Sequence, residues 1–123
     1  MDNSHYNDFI WAVKNGDLAK VQKCVDHHGV DVNIKLVNDR LPIHFAADYG
    51  QVKVATYLLD HGANVNQLDK HGISPLLAAI WEGHEQCVKL LLDHGADRNG
   101  KTPDGRTYLQ AAESEHIRQL LSS

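Results

Sequence analysis

Nine histidines and two cysteines in a chain of 123 residues are the side chains best suited to chemistry, as metal ligands or as nucleophile and base. A zinc-type site needs four converging donors, and on one helix two of them stand four residues apart. No two histidines have that spacing, and the close pair His84 and Cys87 lacks two further ligands. Cys24 and Cys87 lie among apolar residues at helical spacing, which reads as packing rather than as reactive thiolate. The chain carries no G-x-S-x-G, no phosphate-binding loop and no glycine-rich dinucleotide turn. The expectation is a protein without catalytic residues, metal or cofactor, and so not an enzyme.

Charge and hydropathy narrow the partners. Twelve Lys and Arg against sixteen Asp and Glu leave a net charge of -4, whereas a phosphate-backbone binder carries basic excess along one face. No apolar run approaches the roughly 20 residues that span a bilayer. Neither nucleic acid nor membrane is expected as a partner. The run MDNSHYNDFIW is acidic and polar where a secretory signal is basic and then apolar. With only two cysteines, no C-x-x-C and no Asn-x-Ser/Thr acceptor, the expectation is a reduced intracellular protein; a monomer in the cytoplasm and also the nucleus is the accompanying expectation. Its length suits one domain that buries about two-thirds of its unfolded surface without staples.

What positions these residues is a repeat. His61-Gly62-Ala63-Asn64-Val65-Asn66 matches His94-Gly95-Ala96-Asp97-Arg98-Asn99 one period of 33 later, and His28-Gly29-Val30-Asp31-Val32-Asn33 lies one period earlier. Leu41-Pro42-Ile43-His44-Phe45-Ala46-Ala47 aligns with Ser74-Pro75-Leu76-Leu77-Ala78-Ala79-Ile80, and Gly16-Asp17 recurs as Gly50-Gln51 and Gly83-His84. The interval from Gly16 to Gly29 is one residue longer than its later equivalents, which places the extra residue near the end of the first unit's second helix.

Each unit reads as helix, turn, helix, finger. Pro42 and Pro75 suit the first turn of a helix, and Ser74 and Thr107 supply capping oxygens where Leu41 does not. Apolar residues at helical spacing follow: Val52, Val54, Leu58 and Leu59 in one unit, Cys87, Val88, Leu90, Leu91 and Leu92 in the next. His27, His28, His61 and His94 then close the second helices, where a donor meets the last free carbonyls. The stretch from Asn64 to Ser74 contains turn formers and reads as an extended finger.

Pro42-Ile43-His44-Phe45-Ala46-Ala47 followed by Gly50-Gln51 resembles the ankyrin repeat signature T-P-L-H-x-A-A-x-x-G-H. The resemblance implies an all-α repeat solenoid of four ankyrin repeats with β-fingers, at residues 8–37, 38–70, 71–103 and 104–123, the first and last acting as caps. The last has lost its Pro, and Glu113, Ser114, Glu115, His116, Arg118 and Gln119 turn a polar side to water, as a terminal unit requires. In such a fold His44 and His84 hold neighbouring fingers and turns by hydrogen bonds.

It also implies protein binding through the face lined by first helices and fingers. Packing leaves free Trp11, Lys14 and Asn15, then Phe45, Asp48 and Tyr49, then Ala78, Trp81 and Glu82. The aromatics among them, Trp11, Phe45, Tyr49 and Trp81, form the expected row of anchors. Asp39-Arg40, Asp69-Lys70 and Asp104-Gly105-Arg106 read as solvated finger tips, with Asp104 a further candidate for partner contact. Within the family, Asp8-Phe9-Ile10-Trp11-Ala12-Val13-Lys14-Asn15-Gly16-Asp17-Leu18, Glu82-Gly83-His84 and Pro103-Asp104-Gly105 are similar to a branch that binds the heterodimeric F-actin capping protein and keeps it from barbed ends. Regulation of a Rel-family transcription factor or a cyclin-dependent kinase is the alternative that the family implies.

Overall fold

Helices start where the local chemistry permits. Pro42 and Pro75 sit in first turns, where a missing N–H costs nothing. Ser74 Oγ accepts the Leu77 N–H at 3.1 Å. Thr107 Oγ1 accepts the Gln110 N–H at 3.0 Å, while Gln110 Oε1 takes the Thr107 N–H at 2.9 Å, a reciprocal cap. Leu41 has no oxygen to offer, and its own N–H is donated to His44 Nδ1 at 3.0 Å.

The computed structural model describes residues 4–123. Its helices there are α1 (Ser4–Asn15), α2 (Leu18–His28), α3 (Pro42–Asp48), α4 (Val52–Asp60), α5 (Pro75–Glu82), α6 (Glu85–Asp93), α7 (Tyr108–Ala111) and α8 (Glu115–Ser122). They pack as four helix-turn-helix pairs, with α1, α3, α5 and α7 in one layer and α2, α4, α6 and α8 in the other. This is an all-α repeat solenoid. The longer first interval appears as an α2 of 11 residues against 9 in α4 and α6.

Fingers link the pairs, each closed by one backbone bond in the same place. Leu36 donates to the Arg40 carbonyl at 2.8 Å, Asp69 to Ile73 at 2.9 Å and Thr102 to Arg106 at 2.8 Å. The expected extended fingers are in fact short turns. Among the described residues there is no strand, only an isolated antiparallel bridge between Lys101 and Thr107.

One apolar core runs through all units, with Phe9 and Val13, then Ile43 and Leu58, then Leu77 and Leu91, then Ile117 and Leu121. Burying each large side chain stabilises the fold by about 1.5–3 kcal/mol. Cys24 and Cys87 belong to this core, and burial pushes the Cys87 thiol up to about 11, so it stays protonated at neutral pH.

Polar stitches set the register between units. Gln51 Nε2 donates to the Lys14 carbonyl at 2.9 Å, and His84 Nε2 to that of Asp48 at 3.0 Å. His44 Nε2 donates to the Ile73 carbonyl at 2.9 Å, tying the second unit to the next finger. Asn33 bridges forward twice, Nδ2 to the Gly62 carbonyl at 2.9 Å and Oδ1 from the Asn64 N–H at 2.8 Å. Asn66 repeats both bonds, to Gly95 at 3.2 Å and from Asp97 at 2.9 Å. His61 and His94 donate through Nδ1 to the Tyr57 and Leu90 carbonyls, each at 2.9 Å. His28 departs from that expectation: it stacks on the His5 ring at 3.8 Å instead.

Two predictions follow from these stitches. Gly50 and Gly83 both have positive φ, +69° and +72°, but a Cβ at Gly50 would lie 2.6 Å from His84 Nδ1, whereas at Gly83 it meets nothing within 4 Å. Gly83→Ala should cost about 1 kcal/mol of backbone strain and Gly50→Ala about 2–3 kcal/mol, measured by urea unfolding, because the second also displaces the half-buried hydrogen bond of His84 to the Asp48 carbonyl. Burial, the largest influence on His44, lowers its proton affinity below the ordinary 6.5. The unfolded chain therefore takes up that proton first, so the His44 contribution is complete above the ordinary value and shrinks as pH falls through and below it. His44→Gln should be less stable than the parent at mildly alkaline pH, and the gap should narrow on acidification. A gap that widens in acid would contradict this assignment.

Candidate partner-binding face

The helices α1, α3 and α5 each end at or just before a glycine turn, at Gly16, Gly50 and Gly83, and side chains in or near their last turns are left at the surface. Trp11, Tyr49 and Trp81 are 51%, 49% and 44% exposed, large apolar areas for positions so near a core. Lys20 Nζ lies 4.8 Å from the centre of the Trp11 ring, while Tyr49 and Trp81 have no such cation among the described residues.

Phe45 corrects the expected row. It is 6% exposed, its ring capped by Lys14 Nζ at 5.1 Å and the Arg40 guanidinium at 5.0 Å. The physical reason is that two long cationic side chains lie over its face and take the place of solvent. Ala78, at 3% exposure, is likewise buried, since a methyl group does not reach past its larger neighbours.

Asp48, Trp81 and Glu82 come together. With Ala78, Arg40 and His71 they line a groove of about 260 Å³ between two fingers and the ends of α3 and α5. Arg40 organises it, with Nη1 3.7 Å from Asp48 Oδ2 and Nε 3.4 Å from Asp69 Oδ2. On its other side Trp81, again with Glu82, borders a hollow of about 560 Å³ carrying Arg106, Gln110 and Arg118. Trp81 is thus a ridge between two charged depressions.

The remaining candidates lie apart from these depressions. Asn15 is exposed, with Nδ2 donating to the Trp11 carbonyl at 2.8 Å, and Lys14 is occupied by Phe45. Asp104 stays on the third finger's tip, where the Thr102 hydroxyl donates to it and Arg106 Nε stands 3.3 Å away. The Thr102 hydrogen bond, foremost, holds its carboxyl below the usual carboxylate range. Asp69 is no solvated tip. It is buried, and Oδ1 accepts the N–H groups of His71 at 2.8 Å and Ile73 at 3.0 Å, which fixes the second finger.

Reading the sequence alone missed Arg40 as the centre of the groove, and Arg106, Gln110 and Arg118 in the hollow. The Asn33, Asn66 and Asn99 period was visible there without its meaning. Among the described residues, no three His, Cys, Asp or Glu side chains cluster so as to hold a metal, and no helix is long and apolar enough to cross a membrane.

Comparison with known proteins agrees with this architecture. The model for ankyrin repeats (3 copies) matches residues 9–102 and again 72–123. Myotrophin of Xenopus tropicalis is 51% identical over 114 residues, covering 93% of this chain and 96% of that protein. Myotrophin of Homo sapiens is 52% identical over 44 residues, 36% of each chain. The 26S proteasome non-ATPase regulatory subunit 10 of Dictyostelium discoideum is 39% identical over 71 residues, 57% of this chain and 31% of that one.

The contrast between the buried and the exposed aromatic is measurable. Phe45→Ala should cost about 3–4 kcal/mol in unfolding free energy, as emptied core sites do, whereas Trp81→Ala should stay within about 1 kcal/mol. Comparable losses at the two positions would mean that Trp81 is core.

Proposed function

We propose, from the premise that this chain belongs to the ankyrin-repeat family and is similar to myotrophin over nearly its whole length, that it binds the heterodimeric F-actin capping protein and withholds it from filament barbed ends. Such a stack is a protein-binding module, and proteins are its partners. The observation that carries the finer reading is Trp81, an exposed indole on the ridge between two charged depressions. An aromatic with few rotamers, set among charges, is what interface anchors favour. Supporting it are the runs around Trp11, Glu82 and Asp104 that resemble the capping-protein-binding branch.

Withholding a capping protein asks for occlusion rather than bond making. In this reading Trp81 supplies buried apolar area, and Asp48 and Glu82 meet basic groups on the partner, adding orientation and association rate more than affinity. Trp11 and Tyr49 extend the contact along the stack. The protein acts one to one, as a monomer, in the cytoplasm and the nucleus.

The direct test is elongation of pyrene-labelled actin from capped seeds. Addition of this protein should restore elongation, and no effect at saturating protein would remove the reading. Trp81→Ala combined with Glu82→Ala should weaken capping-protein binding by about 2 kcal/mol or more, roughly thirty-fold, with an almost unchanged melting curve. Recovery of a Rel-family factor or a cyclin-dependent kinase from cytosol, with no capping protein, would replace it.

A further inference from the structure

Three asparagines hold the same place in successive units, each with its own N–H on an oxygen two residues back. The bonds are Asn33 to Asp31 Oδ1 at 2.9 Å, Asn66 to Asn64 Oδ1 at 3.2 Å and Asn99 to Asp97 Oδ1 at 2.9 Å. The first two then have their side-chain amides clamped at both ends by the following unit. The third differs, because among the described residues no counterpart of the bonds to Gly62 and Asn64, or to Gly95 and Asp97, forms at its side chain. Asn99 is exposed, and among the described residues neither its side-chain amide nor the Gly100 N–H makes a hydrogen bond.

The residue that follows Asn99 must be glycine. A Cβ at Gly100 would lie 2.5 Å from Tyr108 Oη and 2.6 Å from its Cζ. That hydroxyl is itself fixed, 2.7 Å from Ser74 Oγ in the core between the third and fourth units. Packing therefore demands, beside an unclamped amide, the one residue type whose backbone nitrogen has no side chain to shield it.

We propose that Asn99 is a self-modification site, at which the amide is lost through a cyclic imide. The Gly100 nitrogen attacks Asn99 Cγ, a new C–N bond forms, the bond to the side-chain nitrogen breaks, and the Gly100 amide proton leaves with it as ammonia. Water then opens the imide at either carbonyl, leaving aspartate or isoaspartate. The isoaspartyl product lengthens the backbone by one methylene at the point where Gly100 presses on Tyr108. It loosens α7 from α5 and disturbs the wall that Arg106 and Gln110 contribute beside Trp81.

The chain contains its own control. Asn15-Gly16 is the same dipeptide and its Asn is also exposed, but Asn15 lies at the end of α1 with its Nδ2 held by the Trp11 carbonyl at 2.8 Å. The whole folded chain is incubated in mildly alkaline buffer and followed by peptide mapping that separates Asn, Asp and isoaspartyl forms. Asn99 should convert roughly ten-fold faster than Asn15, the factor that one hydrogen bond's protection gives. In concentrated urea the two rates should converge. Equal rates in the folded chain, or a lead for Asn99 that persists unchanged in urea, would overturn the assignment. Purified isoaspartyl protein should melt below its parent, and an identical melting curve would overturn the claimed loosening of the fourth unit.

Discussion

No single unit of this chain is able to bury its own apolar face, so everything depends on neighbours meeting at one spacing and one register. Hydrophobic contact supplies the attraction but is indifferent to sliding. Direction comes from side chains that reach across to carbonyl groups: Gln51 to Lys14, His84 to Asp48, His44 to Ile73, Asn33 and Asn66 to the glycines ahead. Each carbonyl sits at a helix end, turn or finger, and that of Ile73 also accepts the Asp69 N–H that closes its finger. The same bond that fixes register thus satisfies a backbone acceptor that would otherwise be costly to shield.

The partner-binding face follows from that arrangement. Once the registers agree, the ends of α3 and α5 and two successive fingers are held side by side, and Arg40 bridges them through Asp48, Asp69 and Phe45. The Arg40–Asp48 pair is partly exposed, so its net contribution to stability is small, while in the Arg40–Asp69 pair the carboxylate is buried and its desolvation offsets much of the attraction. Their effect is positional, since they leave Glu82 and the Trp81 ring standing at the rim. A ridge built on a packed scaffold reaches its partner with little ordering left to do.

How much of this the amino acids announced depends on the range of the interaction. Helix starts, turns and the period are written in local chemistry, in Pro42, Pro75, Ser74, Thr107 and the recurring glycines, and these were readable directly. His44 and His84 were readable too, because their spacing is that of the repeat. Phe45 and Asp69 were misjudged because their burial is decided by side chains distant in sequence: Lys14 of the preceding unit and Arg40 of the first finger lie over the Phe45 ring, and Arg40 stands beside the Asp69 carboxylate. A position left free by the repeat pattern is covered or bared by long side chains whose reach that pattern does not contain. The first finger is similar: Asn38 and Asp39 both take φ of +60°, in a segment that departs from the period.

The distribution of the cross-unit bonds also has a mechanical meaning. The donors His44, which is buried, and His84 and Gln51, which are half-buried, act along the turn and finger edge, whereas the second helices meet through apolar side chains and exposed pairs such as Tyr57 with Asp26. One margin of the stack is inextensible and the other compliant. The softest deformation is a fanning of the second helices about the stitched margin, which alters the curvature of the molecule while its bonded edge keeps its length, much as a bound book opens about its spine.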